Sequence, residues 1–235
     1  MVKPDEDEHG SGPSQKQEAA GNSAIRNNTV NSKKTQSAAQ LAAKRARGSQ
    51  QQKQNSEYIE TESGNRISRK SAIQGSRYIV LGGKSLIEHN AVLRGDLHRP
   101  DSNGPVIAIG RYTILGAKCS ITPPLKSETR YPVKIGSYVH IGENTSIQAA
   151  SIGSHVYIGN NCDIGKFAII KEAVVIEDNT VIPPFTVISS FSKVSGSPAK
   201  LVEELPESAD DVIELYTRRL YAGIDVGILP FLEAD

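Results

Sequence analysis

Residues 135–194 read IGSYVH IGENTS IQAAS IGSHVY IGNNCD IGKFAI IKEAVV IEDNTV IPPFTV ISSFSK V, broken here before each large aliphatic. Ile135, Ile141 and Ile147 are followed, after one step of five, by Ile152, Ile158, Ile164, Ile170, Ile176, Ile182, Ile188 and Val194 at steps of six. Gly comes next in the chain at 136, 142, 153, 159 and 165. A period of six marks a short strand followed by a sharp corner, with three such units closing one triangular coil. Coils then stack at the ~4.8 Å spacing of hydrogen-bonded strands. The aliphatic points into the prism, and a smaller inward side chain precedes it by two. Those smaller positions are Thr113, Cys119, Val139, Thr145, Ala150, Val156, Cys162, Ala168, Val174, Thr180 and Thr186. Glycine at the corner is expected to relieve crowding where the backbone takes positive φ.

Upstream, Ile67, Ile73 and Ile79 keep the period, and so do Ile87 with Leu93 and Ile109 with Leu115 and Ile121. Asp96 to Val106 and the Pro-rich stretch Pro123 to Pro132 interrupt it. Ile67 to Val194 gives about six to seven coils and a rod on the order of 30 Å long. The expected class is all-β, a parallel β-helix. Cys119 and Cys162 fall in the small inward slots, so they read as buried core thiols.

Residues 1–54 read as a disordered low-complexity tail of Gln, Ser, Asn, Ala, Lys and Gly, too poor in apolar surface to offset ordering entropy. The tail holds nine Lys/Arg against five Asp/Glu, and the remainder 18 against 21. Residues 55–206 form the predicted rod, and 207–235 a C-terminal helix with an apolar tail. Ser208 and Asp211 look like an N-cap and its N3 acid. Val212, Ile213, Leu215, Tyr216 and Leu220 supply an apolar stripe for packing along the prism. Ile224 to Leu232 either folds back on the rod or is a contact segment.

Hydrophobic residues make up 37% of the 235, aromatics 5%, and Trp is absent, so the core is aliphatic. A net charge of +1 argues against a surface of one sign made for nucleic acid or membrane. Two Cys are too few for a disulfide framework, and no run approaches the 18 apolar residues of a membrane span. The opening Met1-Val2-Lys3-Pro4-Asp5-Glu6-Asp7-Glu8 lacks the apolar stretch of a secretory signal. These features predict a soluble protein of a reducing compartment.

The pattern resembles the hexapeptide-repeat proteins, and the resemblance implies left-handed winding. In detail, Leu93-Arg94-Gly95-Asp96 and Val194-Ser195-Gly196-Ser197-Pro198-Ala199-Lys200 are similar to segments of the gamma-class zinc carbonic anhydrases. A catalytic zinc takes three protein ligands and keeps one position for water. That family's three His positions fall here on Thr122, Glu143 and Gln148, so the resemblance implies no metal. His140 and His155 are placed outward and read as solvated; a surface zinc pair or a base for acyl transfer is the alternative. A hexapeptide enzyme, gamma-type anhydrase or acetyltransferase, thus remains the second reading.

Outside the repeat, Ser56-Glu57-Tyr58-Ile59-Glu60-Thr61, Ser63-Gly64-Asn65 and Ser68-Arg69 resemble the dynactin subunit 5 family. Ile79-Val80-Leu81, Gly83-Lys84, Asp178-Asn179-Thr180-Val181-Ile182-Pro183-Pro184 and Glu204-Leu205-Pro206-Glu207 extend that likeness. The resemblance implies a non-catalytic structural subunit of the dynactin pointed-end complex, serving dynein-driven cargo transport along microtubules. It implies as partners dynactin subunit 6 (a second β-helix), dynactin subunit 4, the pointed-end actin-related protein and cargo adaptors. It implies no cofactor, nucleic acid or membrane insertion, and a cytoplasmic, cytoskeletal location. Arg94 and Asp96 are expected to form a charge pair on the rod or at a subunit contact. Leu229 and Phe231, with the Pro123–Pro132 loop and the C-terminal helix, are the other candidate contacts.

Overall fold

The computed structural model describes residues 57–98 and 104–232. The chain divides between Lys53 and Gln54, and the described residues all lie in the second unit. The predicted tail, 1–54, lies outside the described residues.

Three sheets wind into a left-handed parallel β-helix. Face 1 carries seven parallel strands: Arg66–Ser68, Leu86–Ile87, Ile114–Leu115, His140–Ile141, Val156–Ile158, Val174–Ile176 and Ser192–Ser195. Face 2 carries six, from Ala72–Gln74 to Val181–Ile182, and face 3 six, from Ile79–Leu81 to Val187–Ile188. The register keeps like over like: Ile141 pairs with Leu115 and Ile158, Ile147 with Ile121 and Ile164, Ile152 with Ile135 and Ile170. These columns are the core. Ile141, Ile147, Ile158, Ile164 and Ile176 have no exposed surface. Burial of each such side chain contributes ~1.5–3 kcal/mol.

Positive φ is needed at the corners, but the glycines do not take it. The left-handed residue comes three after the aliphatic: Tyr112, Lys118, Tyr138, Asn144, His155, Asn161, Phe167, Ala173, Asn179, Phe185 and Phe191. Gly136 and Gly142 are required for a different reason. A Cβ on Gly142 would lie 2.5 Å from the carbonyl carbon of Gly159 in the next coil, and one on Gly136 2.6 Å from that of Gly153. These glycines sit where the backbones of successive coils come within 3 Å of the missing side chain.

The small inward slots hold another surprise. Thr113 Oγ1 donates to the Gly136 carbonyl at 3.2 Å, Thr145 Oγ1 to that of Gly159 at 2.8 Å, and Cys162 Sγ to that of Glu177 at 3.1 Å. Polar residues there tie one coil to the next. Thr180, in the same column as Thr145 and Cys162, has an unpartnered Oγ1, and the chain leaves the helical path soon after, at Gly196. The five-residue step moves one slot: Ala149 is fully buried and Ala150 is not, because the shortened corner turns the earlier residue inward. Cys119 and Cys162 are buried as expected, and burial pushes their thiols up to about 12 and about 11.

The Pro123–Pro132 interruption is a hairpin, Leu125–Lys126 against Thr129–Arg130, turning at Ser127 and Glu128 with φ 47° and 66°. The ends of face 1 are closed by antiparallel strands, Tyr58–Glu60 at the first coil and Lys200–Glu204 at the last.

The helix, Ala209–Tyr221, lies over face 1. Ala209, Ile213 and Thr217 form its buried line, flanked by Val212 and Tyr216. Leu215, assigned to the apolar stripe from sequence, points away and is 51% exposed. Ser208 is the N-cap residue but makes no side-chain cap bond; Asp210 Oδ1 accepts from the Asp211 amide at 2.8 Å instead. At its other end the helix reaches the first coil. Tyr221 Oη donates to the Gly64 carbonyl at 2.6 Å, and Arg66 Nη1 donates to the Tyr221 carbonyl at 2.8 Å. The helix therefore runs along face 1 towards the first coil.

Candidate functional site

The corner after face 2 holds Arg94, Asp96, Thr122 and Gln148 of the residues singled out from sequence. Arg94 follows Leu93 as Thr122 follows Ile121 and Gln148 follows Ile147, and the register of face 2 stacks the three in one column. Arg94 makes a bidentate pair with Asp96, Nε to Oδ1 and Nη2 to Oδ2, both at 2.9 Å. The guanidinium hydrogen bonds hold the Asp96 carboxyl below its usual range. Gly95 between them admits no side chain, since a Cβ there would meet Ile79 Cγ1 at 2.6 Å. His98 stacks on Tyr78 at 3.8 Å and its Nδ1 lies 3.2 Å from the Asp96 carbonyl oxygen. The expected charge pair is thus present, built into a tight crossing of the first two coils.

Glu143 does not join this column. It lies at the opposite edge of face 2, before the strand Ser146–Ile147, where its amide donates to Asn160 Oδ1 at 2.8 Å. A hydroxyl, an amide and a carboxylate are a far weaker donor set than the three imidazoles of that class. The zinc of the gamma-class enzymes does not fit these residues.

His140 and His155 are only partly exposed, because the helix lies against them. His140 stacks on Tyr157 at 4.8 Å and meets Tyr216 edge-on at 5.6 Å. Its Nδ1 is fully covered without a hydrogen-bond partner, and desolvation pushes the imidazole down to about 4. His155 stacks on Tyr138 at 5.1 Å and approaches Glu214 of the helix at 3.4 Å. Glu214 in turn pairs with Arg218 at 2.7 Å, whose guanidinium lies over Tyr112 and Tyr138. Both histidines fasten the helix to face 1. Sequence placed them outward correctly, but outward here means under the helix.

Of the two candidate contact residues near the C-terminus, Leu229 is 2% exposed and packs with Tyr157, Val175, Ala209 and Ile213. Phe231 flanks the same cluster. The segment folds back on the rod, so Leu229 is enclosed by its own chain, and Ile224 and Ile228 are the residues left outward, at 54% and 70%.

Sequence reading missed a larger exposed surface. Tyr131, after the hairpin, meets Phe167 edge-on at 5.4 Å, and Phe167 stacks on Phe185 at 5.4 Å. With Ile169, Ala150 and Lys126 they line a groove of about 420 Å³ at the corner between faces 2 and 3. The signal was available: Phe167 and Phe185 hold the same hexad position one coil apart.

Fold and residues together define a hexapeptide-repeat β-helix with Arg94, Thr122 and Gln148 stacked at the corner after face 2. The sequence pattern of the family described as dynactin subunit 5 matches residues 49–226. The chain belongs to that family. It is 41% identical over 170 residues to dynactin subunit 5 of Dictyostelium discoideum, covering 71% of this chain and 82% of that one. Among solved structures it is similar to a hexapeptide transferase family protein from Anaplasma phagocytophilum (TM-score 0.49, 18% identity, 67% of this chain and 89% of that one). It is also similar to the acetyltransferase domain of PglB from Neisseria gonorrhoeae (TM-score 0.47, 16% identity, 59% and 57%).

Proposed function

We propose that this chain is a non-catalytic structural subunit of dynactin, serving dynein-driven transport of cargo, including endosomes, along microtubules in the cytoplasm. The observation that carries the reading is family membership across residues 49–226. The donor set supports it, because Thr122, Glu143 and Gln148 offer a zinc ion far weaker ligation than imidazoles. The partners proposed are dynactin subunit 6, dynactin subunit 4, the pointed-end actin-related protein and cargo adaptors. A rigid prism suits such a role, since stacked short strands hold surface residues in fixed register for neighbours to read.

Affinity purification of the tagged full-length chain, with mass spectrometry of its partners, native mass and elemental analysis, tests this. Dynactin subunits should co-purify in fixed ratio, without stoichiometric zinc. Recovery as a zinc-loaded homotrimer free of other subunits would overturn it.

A further inference from the structure

The three faces of the rod are dressed differently. Face 1 turns Tyr157 and Val175 outward, and the chain's own helix and returning segment cover them to 7% and 0% exposure. Face 2 turns mostly small or polar residues outward, with Ser120, Ser146 and Asp163 in one register. Face 3 turns Ile169 and Val187 outward at 39% and 55%, beside Phe185 at 64%, and no other element of the described chain lies over them. An apolar surface of this kind, held in a groove on a rigid scaffold, marks an interaction site.

Charge specifies the partner. Lys126 lines the groove, Lys166 stands between Gly165 and Phe167 at its corner, and Lys134 points outward on face 3, two coils from Ile169 by register. All three are exposed, and among the described residues none has an ion-pair partner, unlike Lys193, which is held by Glu177 and Glu203. Of the acids on this side, Glu128 sits at the hairpin turn and Glu172 beside Lys171, which leaves an excess of positive charge.

We infer that this groove and the outer part of face 3 dock an acidic segment of a neighbouring protein. An aromatic or leucine side chain of that segment would enter between Tyr131 and Phe185, and its carboxylates would pair with Lys126, Lys134 and Lys166. The wall raised by the hairpin makes the site concave, which suits an inserted side chain better than a flat bilayer. The inference rests on the reading of the chain as an assembly subunit and names the surface and chemistry that reading leaves open.

The test uses the tagged full-length chain in cells, with p-benzoylphenylalanine at position 185, irradiation, and mass spectrometry of the crosslinked peptide. Two variants are compared with wild type for recovery of dynactin subunits: Phe185→Asp, at a left-handed position that Asp tolerates, and Lys126→Glu with Lys166→Glu. The inference expects a crosslink to a net-negative segment of another subunit. It expects at least a tenfold loss of that subunit in both variants, with unchanged melting temperature, and weakening of the wild-type contact by added salt. Wild-type recovery by both variants overturns the inference and leaves the dynactin reading standing. So does a crosslink to a basic segment or to a second copy of this chain, or Phe185-dependent binding to phosphatidylserine vesicles in place of protein. Failure of the wild-type chain to recover any dynactin subunit removes both.

Discussion

At the scale of single residues the coil is governed by clearance and by solvation. Where glycine follows the aliphatic it has no room for a methyl group, so Gly142→Ala must push apart the backbones of two stacked coils. It is expected to destabilise the rod by ~1–3 kcal/mol. Gly227→Ala, where nothing lies within 4 Å of the added carbon, is expected to be near neutral. Paired thermal melts check both. His140 offers a second case. Its buried imidazole is pushed from the usual value of 6.5 down to about 4, so the folded state resists a proton that the unfolded chain accepts. Its neutral form is fully accommodated above pH 6.5, and stability falls as pH drops from there towards 4, by up to about 3 kcal/mol. Denaturant titrations across that window should show a shallower fall for His140→Gln than for wild type.

At the scale of elements, the short strands are legible from sequence and the docking of the helix much less so. Strand position follows from spacing, because an aliphatic every six residues has one place to go in a narrow prism. The helix face depends on what it meets. Ala209 and Thr217 look unremarkable in a stripe of Val, Leu and Tyr, yet they sit on the buried line because face 1 leaves little room beneath them. Leu215 is apolar but turned away. The histidines were misread for the same reason, since local spacing gives direction but not what arrives from a later part of the chain. Ile213 is fully buried against Tyr157 and Val175, so Ile213→Asp is expected to release the helix at a cost of several kcal/mol. Amide exchange should then accelerate over residues 209–221, while the inner strands of face 2 stay protected.

For the molecule as a whole, a repeat this regular has no internal reason to stop. Face 1 meets that problem at both ends by reversing strand direction. At the last coil Lys200–Glu204 also carries a bulge opposite Lys193 and Val194, exposes all five residues, and sets a lysine and two glutamates along its rim. Charges and bulges of this kind discourage a second chain from adding to an open edge. Replacing them, Lys200→Val with Glu204→Val, is expected to raise self-association, seen as light scattering that grows with protein concentration, while wild type stays clear. Sequence shows the repeat ending after Val194 but not this reversal, because a five-residue strand rich in charge carries little pattern of its own. A stack of coils with its ladder turned back has its length written in the gene instead of set by how much protein is present. Such a strut can be crowded beside its neighbours without growing into a fibre.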